Sequence, residues 1–168
     1  MTNVLELQNV VKTFPGVKAL DNMKLELRKG ELHAICGENG AGKSTLMKVV
    51  TGVYKPDSGE MLLNGRPVHI EHPSDAYGKG IAIIYQETSL FPDLTVLENL
   101  FMGHEYTRRA FGIAIIDYRK MRRIARDIFE KLGVDIDLDS KVGAFGVATK
   151  QMIEIAKALT YDAKILIL

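Results

Sequence analysis

The stretch Gly37-Glu38-Asn39-Gly40-Ala41-Gly42-Lys43-Ser44 lies between an apolar-centred run at 31–36 (ELHAIC) and a second run at 44–50 (STLMKVV). Its spacing is G-x-x-x-x-G-K-[ST], the pattern of a loop that wraps a polyphosphate. Glycines allow the backbone to approach phosphate oxygens without a Cβ clash. The N–H groups of the loop and of a following helix N-terminus favour negative charge. Lys43 adds a positive charge for the β/γ phosphates, and Ser44 offers a hydroxyl to Mg²⁺ with Thr45 behind it. A chance match is expected in roughly one chain in a hundred from average composition. The flanks narrow this further, because 31–36 reads as a strand entering a buried sheet and 44–50 as a helix. The competing reading is a glycine-rich turn joining a strand to a helix.

Working outward, 4–11 and 23–27 are short alternating segments expected as antiparallel strands, with Gly16 and Asp21-Asn22 supplying turn chemistry between them. Pro56, Asp57, Ser58 and Gly59 mark a turn. Residues 61–63 and 68–70 read as strands around Asn64-Gly65, a hairpin signal. A short helix is expected at 74–79, and 81–85 (IAIIY) reads as a buried parallel strand. From 94 to 159 the character is mostly helical. Asp117 is placed to cap a helix running to Leu132, with Tyr118, Met121, Ile124, Ala125, Ile128, Phe129 and Leu132 on its apolar face. Another helix is expected at 150–159, and 164–168 (KILIL) as a buried strand. A strand of that kind needs neighbours on both sides, so the C-terminus reads as incomplete.

The chain has 168 residues, 46% of them hydrophobic and 26% charged, as expected of one globular domain with a real core. Its net charge of +1 gives no global reason to expect nucleic acid. Apolar runs are far shorter than a membrane span. The single cysteine, Cys36, excludes an internal disulfide, fits a reducing compartment, and is expected in the core at the end of its strand. His33, His69, His72 and His104 lack zinc-ligand spacing. Arg119, Arg122, Arg123 and Arg126 form a basic stripe, most simply a solvated face, without the interleaved aromatics of a nucleic-acid binder.

Three further segments narrow the phosphate-loop reading. Residues 12–20 (KTFPGVKAL) resemble the aromatic loop of ABC transporter ATPases; on its own Phe14 reads first as a core aromatic. Ile84-Tyr85-Gln86-Glu87 resembles that family's Q-loop, although Gln86 alone is an ordinary polar residue at a strand end. Gln151-Met152-Ile153-Glu154-Ile155-Ala156-Lys157-Ala158-Leu159 resembles the helix after the family's signature motif. The resemblance runs over the whole chain and is closest to the ATP-binding subunits of bacterial ribose, galactose and xylose importers, through 36–48, 80–87 and 94–100.

The resemblance implies an α/β fold: a P-loop NTPase core with an N-terminal antiparallel β part and a helical subdomain. The expected layout is a partial ATP-binding domain over 1–168, with a core at about 1–90 and 160–168 and a helical subdomain at about 91–159. It implies ATP and Mg²⁺ as cofactors. Phe14 would stack on adenine; Gly37, Glu38, Asn39, Gly40, Ala41, Gly42, Lys43, Ser44 and Thr45 would hold the phosphates. Ser44 and Gln86 would face the metal, and Lys43 and Gln86 would serve catalysis.

The intact parent would couple ATP hydrolysis to monosaccharide import at the cytoplasmic face of the bacterial inner membrane. Its partners would be membrane permease subunits, a second ATP-binding half and, indirectly, a periplasmic sugar-binding protein, with no nucleic acid. A clamp or regulatory module with little turnover is the rival reading. Two departures matter. The signature position reads Phe145-Gly146-Val147-Ala148-Thr149 and lacks the family's serine. The apolar segment at 165–168 ends just before the expected metal-binding aspartate, so these residues alone are expected to bind nucleotide but not to turn it over.

Overall fold

A computed structural model describes residues 3–84, 89–110 and 112–168. Two compact units, Met1–Lys79 and Gly80–Leu168, divide the chain.

The first unit is built on a four-stranded antiparallel sheet in the order β2-β1-β3-β4. β1 (Asn3–Phe14) and β2 (Val17–Arg28) are both longer than their alternation suggests. Pro15-Gly16 joins them tightly: Phe14 pairs with Val17, and Gly16 takes φ 82°. Asp21-Asn22 is not a connecting turn. It lies inside β2, where Asn22 (φ 48°) falls opposite the register shift between Val10 and Lys12, next to the shift between Leu7 and Val10 that contains Asn9 (φ 52°) on β1. Asparagine tolerates this left-handed conformation, so the pair forms an irregularity within a continuous ribbon.

β3 (Ser58–Leu63) and β4 (Arg66–Pro67) flank Asn64-Gly65, both at positive φ as a two-residue hairpin demands. The expected strand at 68–70 is therefore displaced to 66–67, with Val68 only donating its N–H to the Met61 carbonyl. α1 (Lys43–Val50) buries Leu46, Val49 and Val50, and α2 (Pro73–Gly78) closes the unit.

Residues 31–36 correct the sequence reading. They form no strand, Leu32 is 94% exposed, and Cys36 is exposed rather than in the core. An apolar run becomes a strand only where a neighbour completes its hydrogen-bond ladder. None of the described ladders includes this segment.

The second unit holds the two expected apolar strands in shorter form, β5 (Ile81–Ile83) and β8 (Ile165–Ile167), and pairs them in parallel, although Leu166 stays partly exposed. Its core is made by α3 (Val96–Phe101), α4 (Tyr118–Leu132) and α5 (Val147–Thr160). Leu100, Phe101, Met121, Ala125, Phe129 and Ile153 interlock there with almost no exposed surface. Asp117 caps α4 by accepting from the Lys120 N–H, and Gly133 ends that helix in the left-handed conformation. Tyr118 departs from the expected apolar face and is 50% exposed. Between α3 and α4 the mostly helical expectation misses an antiparallel hairpin, β6 (Thr107–Ala110) and β7 (Ile113–Ile116). Both of its faces are open, so no buried side imposed a period of two on the sequence.

Candidate nucleotide site

The loop at 37–42 leads into α1 through Gly42, whose φ of 89° makes it a left-handed N-cap without a side-chain cap. A Cβ at Gly42 would collide with the Ala19 carbonyl oxygen and crowd the Leu20 side chain. The loop is thus set directly on β2, a few residues beyond the turn that carries Phe14. Gly40 also has positive φ, at 87°. The Ala41 N–H donates to the Glu38 carbonyl at 3.2 Å and tightens the bend.

Lys43 organises the loop from within. Its ammonium donates to the carbonyls of Gly37 at 2.6 Å and Glu38 at 2.8 Å. The positive charge is therefore held over the concave backbone rather than extended into solvent. The first N–H groups of α1 have no intrahelical acceptor by construction and add a field that attracts anions. Ser44 is exposed and Thr45 half-buried at the start of that helix. A ring of backbone donors, one ammonium and a hydroxyl suits an oxygen-rich anion with its divalent metal.

Phe14 is only partly buried. Its ring meets Tyr54 edge-on at 5.1 Å between centroids, Lys12 Nζ lies 5.6 Å from its centre, and Lys48 Nζ lies 5.3 Å from that of Tyr54. Asp57 locks this end of β1: it accepts from Lys12 Nζ at 2.8 Å and from the Thr13 N–H at 2.6 Å, while donating its own N–H to Val11. The Lys12 hydrogen bond and the Thr13 N–H hold the Asp57 carboxyl below its ordinary range. Sequence reading treated Asp57 as a turn residue and passed over Tyr54. The Pro-Asp-Ser-Gly cluster marked the turn, but the backbone that the carboxylate reaches lies 44 residues away.

In the second unit Gln86 lies outside the described residues. The backbone at Ser89 and Phe91 is held by buried polar groups. Glu154, 6% exposed on α5, accepts from the Ser89 N–H at 2.6 Å, and Lys157 Nζ lies 3.5 Å from the Ser89 carbonyl. Asn99, fully buried, accepts from the Phe91 N–H and donates to the Phe91 and Thr95 carbonyls. Phe145 leads into α5, Gly146 is its N-cap without a side-chain hydrogen bond, and Val147, Ala148 and Thr149 form its first turn. Val147 is 73% exposed. In the basic stripe Arg122 is engaged in a bidentate pair with Asp139, while Arg119, Arg123 and Arg126 are exposed.

A glycine loop set against an antiparallel sheet, followed by a helical unit whose first and last strands pair in parallel, is the arrangement of an ATP-binding cassette. The sequence model described as ABC transporter matches residues 20–168, and the chain belongs to that family. A Burkholderia lata protein named for ribose/galactose/methyl galactoside import is 50% identical over 165 residues, 98% of this chain and 31% of that protein. The ribose import ATP-binding protein RbsA of Hahella chejuensis is 49% identical over the whole chain and 33% of its own length. The chain therefore spans about a third of these relatives. The ADP conformation of MJ1267, an ATP-binding cassette of an ABC transporter, superposes with a TM-score of 0.84 at 31% identity, covering 99% of this chain and 67% of that one.

Proposed function

We propose that this chain is part of an ATPase subunit that energises monosaccharide import through an ABC transporter. The observation that carries the reading is the loop at 37–45, with its lysine turned inward over the concave backbone and a helix N-terminus behind it. The names of the relatives support the sugar class.

In this reading Gly37, Glu38, Asn39, Gly40, Ala41 and Gly42 enclose the phosphates of ATP through backbone N–H groups. Lys43 exchanges its two carbonyl partners for β/γ-phosphate oxygens, and Ser44 faces Mg²⁺ with Thr45 beside it. The donor set fits both groups: hard oxygen for the metal, cationic and N–H donors for the anion. The metal, when bound, neutralises charge on the phosphates during transfer to water. Phe14 presents its partly open ring to adenine, and Gln86 carries the coupling contact toward the metal. Phe145, Gly146, Val147, Ala148 and Thr149 stand at the signature position, where the Gly146 N–H and the start of α5 replace the serine contact. Residues 91–159 act as the helical subdomain and the remainder as the core. The partners are membrane permease subunits, a second ATP-binding half and, through the permease, a periplasmic sugar-binding protein. The subunit works peripherally at the cytoplasmic face of the inner membrane.

Calorimetry of Mg-ATP binding to the full-length subunit tests this, comparing wild type with Lys43→Ala. Loss of charge-assisted hydrogen bonds worth about 1.5–3 kcal/mol predicts at least a tenfold weaker affinity. Equal affinities would remove Lys43 from the site.

A further inference from the structure

We propose that the β6–β7 hairpin is a membrane-surface finger whose partner is an anionic lipid bilayer. Charge is the first observation. The stretch 106–126 carries seven basic side chains, of which Arg122 is paired with Asp139, and one acid, whereas the whole chain has a net charge of only +1. That acid, Asp117, is engaged as the N-cap of α4. The preceding Glu105 accepts from the Gly103 N–H.

Apolar exposure in the same place is the second. Ile113 is 67%, Ile115 36% and Ile116 40% exposed, an unusual concentration of β-branched side chains in water. The pairing Thr107 to Ile116 and Arg108 to Ile115 puts Arg108, Ile113 and Ile115 on one face, and Arg109 and Ile116 on the other. Each face therefore joins an arginine to isoleucine. Both arginines are exposed.

This two-sided arrangement favours lipid over protein. A docked protein covers one face of a ribbon and leaves the isoleucines of the other in water. A bilayer interface surrounds both, taking apolar side chains among the upper acyl chains while arginines stay at the headgroup phosphates. The free edges of a two-stranded ribbon still need hydrogen-bond partners, so the finger sits at headgroup depth and does not cross the hydrocarbon. A second copy of this surface would repel it, since both carry the same sign. The Asp117 N–H donates to the Tyr106 carbonyl at 2.7 Å, and Lys120 Nζ lies 3.9 Å from the Tyr106 ring centre, so the ribbon base is fixed to α4.

The test is co-sedimentation of the full-length subunit with vesicles of phosphatidylcholine alone or mixed with phosphatidylglycerol. Selective, salt-sensitive binding to the anionic vesicles is expected. Arg108→Glu with Arg109→Glu should lower it at least roughly tenfold, and Ile113→Ser with Ile115→Ser should lower it without removing its salt dependence. These side chains face solvent, so thermal unfolding and Mg-ATP affinity of the variants are expected to match wild type. Binding that ignores lipid charge, no vesicle binding at all, or binding unchanged in the arginine variant would each overturn the proposal. So would intact vesicle binding combined with weakened capture of detergent-solubilised permease subunits, which would make the hairpin a protein interface. ATP affinity measured on the same samples separates these failures from failure of the nucleotide reading.

Discussion

Gly42 shows how much one residue can decide. Its left-handed φ of 89° and the nearby Ala19 carbonyl are independent demands for a missing Cβ. Gly42→Ala is expected to cost at least about 1–2 kcal/mol from the backbone alone, with the collision added. Because relief requires the start of α1 to move off β2, nucleotide affinity should fall together with stability. Urea unfolding and calorimetry on the same variant check this; a variant of unchanged stability would show that the loop does not depend on that contact. Lys43 is readable at the same scale. The sequence marks it as a phosphate ligand, and its two hydrogen bonds to the Gly37 and Glu38 carbonyls add how the charge is stored. The bend at Gly40 and Gly42 could be read from spacing because loop geometry is local. Asp57 and Tyr54 could not, because what they touch is far away in sequence.

At the scale of elements, α4 was legible almost residue for residue. Asp117 and Gly133 bound it, and its buried positions follow the helical period. Asp117→Ala should destabilise the protein by about 1 kcal/mol through loss of the Lys120 N–H cap. The midpoint of chemical denaturation reads this directly, and an unchanged midpoint would place the cap outside the cooperative unit. α5 began earlier than composition indicated, at Val147, because Gly146 serves as its N-cap in extended conformation. Its inward Glu154 accepts from the Ser89 N–H, so the helix that begins after Gly146 also fixes the backbone at Ser89. Lys157 and Glu154, one turn apart, hold the carbonyl and the N–H of the same residue, Ser89; burial lowers the Lys157 pKa while Glu154 opposes that shift.

The whole molecule has a readable acid sensitivity. Burial, first of all, holds the His104 imidazole below its ordinary value; Lys157 pushes the same way, while the Met102 carbonyl and Glu105 oppose it. The ring stacks on Tyr161 at 3.9 Å and lies 2.8 Å from Thr160 Oγ1. The unfolded chain therefore binds this proton first, and stability should fall as pH drops below about 6.5, levelling once His104 also protonates in the folded state. A second loss should follow below about 4. There Asp57, Asp75, Glu98 and Asp139 are held low by donors from Lys12, the Glu71 N–H, the Thr95 N–H and Arg122 respectively. Their stabilisation is present above the unfolded value and lost as pH falls through the folded ones. Thermal midpoints across pH should show both stages, and His104→Gln should flatten only the first. A variant with the wild-type profile would exclude His104 as its origin.

The sequence by itself determined the glycine bend at 37–42, the capped helix α4, the Asn64-Gly65 turn and the extended character of 81–83 and 165–167. Each depends on φ preference, capping or hydrophobic period within a few residues. Only the tertiary structure decided that 31–36 stays out of any described ladder, that Asp21-Asn22 bends a strand instead of ending it, and that 107–116 is a ribbon within a helical region. Those outcomes depend on whether a distant segment supplies hydrogen-bond partners or a covering face, which no local pattern contains.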